Sequence, residues 1–182
     1  MQFYPDDAIV PKGLRTKRFH LRPLRTNDAE IDYAAVMDNP STLRIISQSE
    51  WPPDDFTLEK NREDLQEHEE EHDKRIAFTY TVLDPTESIC LGCVYIQHLI
   101  EGPMRGDYVA LVRFWIRHSY LESELDRLLL KCLIDWFENE WTFSHVIFAV
   151  ADADKRQVHL ATDLNLQLVH AYSNKWLEYL IK

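Results

Sequence analysis

Apolar and polar residues alternate through residues 18–24, placing Phe19 and Leu21 on one side of an extended chain, and this period of two predicts a strand. Asn27 or Asp28 suits a helix cap, ahead of a helix over about residues 29–37. Pro40 opens a second short helical piece, and Trp51-Pro-Pro-Asp-Asp-Phe56 reads as a rigid loop. Thr57 caps a long charged helix that runs to about Lys74. Residues 76–83 and 89–99 read as a hairpin around Asp84-Pro-Thr-Glu-Ser88, and residues 108–116 as a third core strand. Over residues 124–137, Leu125, Leu128, Leu129, Cys132, Leu133, Trp136 and Phe137 fall on one wide helical face. Residues 145–150 form a near-continuous apolar strand, 155–163 a short helix, and 167–172 and 175–181 closing strands. The predicted order is β, α, α, β, β, β, α, β, α, β, β, preceded by a Pro-containing arm over residues 1–17.

Composition narrows the class. With 182 residues, 45% of them hydrophobic, the chain can bury one good core, so a single domain over residues 1–182 is expected, its core at about 18–172. A net charge of −11 argues against nucleic acid and anionic membranes as partners and suits a cationic acceptor or a basic protein partner. The longest apolar run, residues 146–151, is far too short to span a bilayer, and the N-terminus lacks the pattern of a signal peptide. Three cysteines do not make a disulfide scaffold. A cytoplasmic domain is the expectation.

Several stretches together resemble the GCN5-related N-acetyltransferase (GNAT) superfamily. They are Arg18-Phe-His-Leu-Arg-Pro-Leu24, Cys90-Leu-Gly-Cys-Val-Tyr-Ile96, Trp115-Ile-Arg-His118, Leu128-Leu-Leu130, and Asp154-Lys-Arg-Gln157 with Leu164-Asn-Leu166. The resemblance covers about residues 18–172. It implies an α/β (α+β) fold with a mixed, mainly antiparallel sheet, a central parallel strand pair and flanking helices. It also implies acetyl-CoA as cofactor and a small-molecule or peptide amine as acceptor. In that family the pantetheine lies along the strand that would here carry Trp115, Ile116 and Arg117. The diphosphate sits on the turn that would here carry Ser123, Glu124, Leu125, Asp126 and Arg127. Trp51, Tyr95 and His98 fall where family acceptors are often lined. The two terminal strands, with exposed edges, would permit the homodimer common in the family.

The turn departs from the family pattern. No glycine occurs from Asp107 onward, Leu121 replaces the leading Gln or Arg, and Glu124 and Asp126 stand where two small residues belong. A carboxylate about 5 Å from a phosphate charge costs roughly 3 kcal/mol at an effective dielectric near 20. The same residues fit capping boxes, Ser123-x-x-Asp126 and Ser119-x-x-Glu122, which would supply the helix amides with the chain's own oxygens. Nearby cations are Arg117, His118 and Arg127. Catalytic residues are not assignable: Asp154 takes the family's Asn position in the last helix, and Ala161 the place of its proton-donating Tyr.

Two further motifs read as structural. His68-Glu-Glu-Glu-His72 has zinc-ligand spacing with Glu69 as a base, but its helix holds eight acids, four bases and only two aliphatics over residues 57–75. It is expected to be mostly solvated, with Glu70–Lys74 and Glu71–Arg75 pairs. Cys90 and Cys93, three apart in a strand, are expected on opposite faces, and no metal site is expected. Two readings remain: an acetyl-CoA-dependent N-acetyltransferase acting by direct transfer, and a GNAT-like binding or assembly module that has lost the cofactor.

Overall fold

The computed structural model describes residues 2–38, 40–173 and 175–181, so the outermost residues of the expected 1–182 domain lie outside it. Strands β1 (Leu14–Arg15), β2 (His20–Pro23), β3 (Phe78–Leu83), β4 (Cys90–His98), β5 (Val109–Ile116), β6 (His145–Ala151), β7 (Gln167–Ala171) and β8 (Trp176–Leu180) form one eight-stranded sheet, ordered β1-β2-β3-β4-β5-β6-β8-β7. All neighbours are antiparallel except the central pair β5–β6. Helix α4 (Leu125–Glu140) makes the crossover between these two parallel strands, as a parallel connection requires. The remaining helices are α1 (Ala29–Val36), α2 (Pro40–Ser47), α3 (Leu58–Asp73) and α5 (Lys155–Asp163).

The helices divide the core between the two faces of the sheet. On one face, Leu125, Leu129, Leu133, Trp136 and Phe137 of α4 pack on Tyr80, Val94, Val112 and Phe148. On the other, α1 and α3 cover Leu83, Cys93 and Trp115. Both ends of the chain lie closer to this core than their sequence suggested. Phe3 and Tyr4 are buried among Phe78, Trp141 and Phe143 with ring centroids 4.9–5.5 Å apart, and Tyr179 and Ile181 join the same cluster. The N-terminal arm is tied down by Arg75, which donates to the carbonyls of Pro5, Asp6 and Ala8 at 2.9–3.0 Å instead of pairing with Glu71.

One irregularity resets the facing of β4. Leu83 opposes Cys90 while Val82 opposes Gly92, so Leu91 is an extra residue with no partner in β3. Such a bulge shifts the period-two pattern by one position. Cys90 and Cys93 therefore share a face, which corrects the expectation that they diverge. Both thiols reach Asp32, Cys93 Sγ at 3.4 Å and Cys90 Sγ at 3.8 Å from Oδ1. Gly92 lets β5 pass close by: a Cβ there would lie 2.0 Å from the Trp115 carbonyl oxygen.

Candidate functional site

Strands β5 and β6 pair only where residues 109–112 oppose 145–148. Beyond that the strands part, and a cleft opens toward the start of α4. It holds a cavity of about 240 Å³ between Ile116 and Leu121 on one side and Asp154 and Gln157 on the other, roofed by Ile45 and Ile46 of α2. A second cavity, also about 240 Å³, lies under α2 against β4, β5 and α3. Phe114 and Ile46 belong to both walls, so the two cavities lie side by side at the splay.

The second cavity is mostly apolar, with polar groups on α1, α3 and β4 and the charged Arg113 from β5. Asn61, Asp64 and His68 project into it from α3 because offsets of three, four and seven residues share one helical face. Asp64 receives the Trp51 indole N–H, and burial raises its carboxyl above the usual range. Asp32 is likewise raised by burial, and accepts from Asn61 Nδ2 at 3.0 Å. The Asn61 Oδ1 atom is buried without a partner among the described residues. His68 stands 5.6 Å from the Tyr95 ring, with Glu71 Oε2 3.4 Å from its Nδ1. Tyr95 accepts from Trp115 Nε1 at 3.2 Å, and burial holds its hydroxyl protonated.

Trp51 and Tyr95 therefore line one cavity together, whereas His98 does not join them. It lies three positions after Tyr95, on the opposite face of β4, near Phe3 and with Nε2 3.0 Å from the Gly106 carbonyl. His68 is not on a solvated surface, as its charged helix suggested, but it does not converge with His72 on a metal. His72 packs edge-on against Phe78 and Tyr80, and Glu69 is held by Thr26 and Arg25.

The residues expected at the cofactor divide between two environments. Ile116 walls the cleft, while the Trp115 side chain turns into the second cavity. Arg117 pairs with Asp38 at 3.3 Å. At the turn, His118–Ser123 is a 3-10 helix, and Glu124 follows with φ 54°, in the left-handed region. Neither capping box forms: α4 has no side-chain cap, and Ser123 Oγ donates to the Tyr120 carbonyl. Leu125 is buried in the core. Asp126 is 2% exposed, and its Oδ1 accepts from the Arg127 amide at 3.0 Å. Arg156 of α5 grips the same carboxylate through Nε and Nη2 and also donates to the Leu121 carbonyl at 2.8 Å. Arg127 itself is engaged by Asp163 and Glu124.

This arrangement fits a pantetheine thioester at one end and not the other. The splayed main chain of residues 113–116 offers an unpaired strand edge, although Gln157 Nε2 now donates to the Phe114 carbonyl at 2.7 Å. The first turn of α4, a natural anion site by its amides and dipole, already holds Asp126. In α5, Asp154 lines the cleft but caps the helix by accepting from the Gln157 amide, and Ala161 is fully buried and offers no hydroxyl.

The chain matches the acetyltransferase (GNAT) domain family over residues 18–167. It belongs to that family. Its fold recurs in the ribosomal-protein-S5-alanine acetyltransferase of Vibrio fischeri, at 18% identity and TM-score 0.69 over 92% of this chain and 93% of that one. RimL, a ribosomal L7/L12 alpha-N-protein acetyltransferase, superposes with TM-score 0.72 at 12% identity, covering 98% and 96%. The microcin C7 self-immunity acetyltransferase MccE, solved with acetyl-CoA and AMP, gives 0.72 at 13% identity, covering 96% and 98%. At such identities the likeness is one of fold. No curated protein matches the chain in sequence.

Proposed function

We infer that this domain transfers an acetyl group from acetyl-CoA directly to an amine. The observation that carries the reading is the adjacency of the two cavities across Phe114 and Ile46, which sets a donor in the splay beside an acceptor under α2. Residues 114–117 would hold the pantetheine arm through main-chain groups, and the cofactor, when bound, supplies a thioester carbonyl as electrophile. The chain's own groups prepare the acceptor. Asp32 and Asp64 offer carboxyl oxygens to the amine, and the orphaned Asn61 Oδ1 accepts one of its N–H groups. With Glu71 beside Nδ1, the His68 ring carries its proton there and offers the Nε2 lone pair as the base that takes a proton from the amine. Tyr95 holds a proton at its buried hydroxyl beside this ring.

Thiol release from acetyl-CoA over a panel of amines tests the reading. With an accepted amine, His68→Gln should lower kcat about a hundredfold and leave KM nearly unchanged. Ligand at a hundredfold its Kd stabilises by about 2.7 kcal/mol, so acetyl-CoA should raise Tm by roughly 5–10 °C. A second reading, a binding module without cofactor, is favoured by the Asp126 carboxylate seated at α4. No thiol release with any amine and no Tm shift at millimolar acetyl-CoA would select it.

A further inference from the structure

The start of α4 differs from an empty anion site in three respects. Asp126 is buried there, and its carboxylate takes both the Arg127 amide and the fork of Arg156. Arg156 is fixed at its other edge by the Leu121 carbonyl, so the pair closes the gap between the 3-10 turn and α5. Three of the other cations near the turn also have acidic partners, while Arg18 donates to the Ser123 carbonyl at 3.0 Å. Arg117 pairs with Asp38, Arg127 with Asp163 and Glu124, and Lys155 with Asp152. A polyanion arriving at the first turn of α4 meets no spare positive charge on Arg117, Arg127 or Lys155, and its phosphate would have to break a bidentate, charge-assisted pair to gain Arg156.

Resting on the acetyl-transfer reading above, we propose that the Asp126–Arg156 pair occupies the anion seat of this fold, so that the donor is recognised through its acyl-pantetheine arm alone. The 3′-phospho-ADP of CoA then hangs in solvent and adds nothing to affinity. The ligand class of the cleft is an acyl-pantetheine thioester, whatever group its far end carries. Asp126 and Arg156 determine specificity by exclusion and touch no reacting atom.

Calorimetric titration of the wild-type chain with acetyl-CoA and with S-acetylpantetheine tests this. The two dissociation constants should agree within about threefold. Asp126→Ala empties the seat and frees Arg156. It should tighten acetyl-CoA by about tenfold or more while leaving S-acetylpantetheine unchanged. Asp126→Asn, which keeps the side-chain shape, gives the same direction if the alanine variant folds poorly. A wild-type preference for acetyl-CoA of about tenfold or more would overturn the proposal and leave acetyl transfer standing. Failure of both ligands to bind wild type and variants alike would overturn acetyl transfer, and the pantetheine specificity with it.

Discussion

His72 gives this protein a pH-dependent stability that can be worked out from its surroundings. The ring lies under α3, edge-on to Phe78 and Tyr80 with centroids 5.2 and 5.3 Å away, and Nδ1 has no partner among the described residues. Burial, helped by the positive charge of Arg25, lowers its pKa from 6.5 to about 4. In the unfolded chain the ring takes up a proton as pH falls through 6.5, whereas in the folded chain it does so only near 4. The folded state thus binds fewer protons in that window, and stability falls with pH from about 6.5 until it levels near 4. Applied to these two values, linkage gives a loss of about 2 kcal/mol between roughly pH 7 and pH 5. His72→Phe keeps an aromatic ring against Phe78 and Tyr80 but cannot take up the proton. In urea titrations, the wild-type midpoint should fall by about 1 M more than the variant's over that interval. Parallel midpoints for the two proteins would refute the argument, because the missing proton uptake would then not be at His72.

Two further outcomes follow from backbone geometry and from the anchored arm. Gly92→Ala drives a Cβ to within 2.0 Å of the Trp115 carbonyl and should wedge β4 from β5. The expected loss is about 3 kcal/mol, or roughly 10 °C in Tm by calorimetry; an unchanged Tm would contradict the packing. Arg75→Met removes three hydrogen bonds to arm carbonyls and should cost about 2 kcal/mol. It should also expose Phe3 and Tyr4 to chymotrypsin, and wild-type resistance to cleavage would show that the arm is held by its aromatic contacts alone.

The parts of the fold that were legible in the sequence are those where burial follows a simple period. The apolar face of α4, the continuous apolar run of β6 and the limits of α5 at Lys155 and Asp163 all appear in the pattern. Thr57 accepts from the Lys60 amide at the head of α3, as its position suggested. The candidate site was less legible because it is made by departures from periodicity. The extra residue Leu91 inverts the facing of Cys90, and only the adjacent Gly92 hints at it in the sequence. Asn61, Asp64 and His68 form a polar stripe on a charged helix, which a search for apolar faces discards. Their shared spacing was visible, but only packing distinguishes a cavity wall from a wetted surface. Arg156 lies thirty residues from the carboxylate that it grips, so the pair exists only once α4 and α5 are placed together.

Glu124 holds the closed turn in a strained backbone conformation. Its φ of 54° is a conformation that glycine adopts freely and that costs a residue with a Cβ roughly 1–2 kcal/mol. The main chain here follows a path better suited to glycine than to glutamate. Opening or closing the seat is therefore a matter of exchanging side chains on a fixed loop, with no insertion or deletion. Glu124→Gly would therefore relieve the strain without altering the path of the main chain.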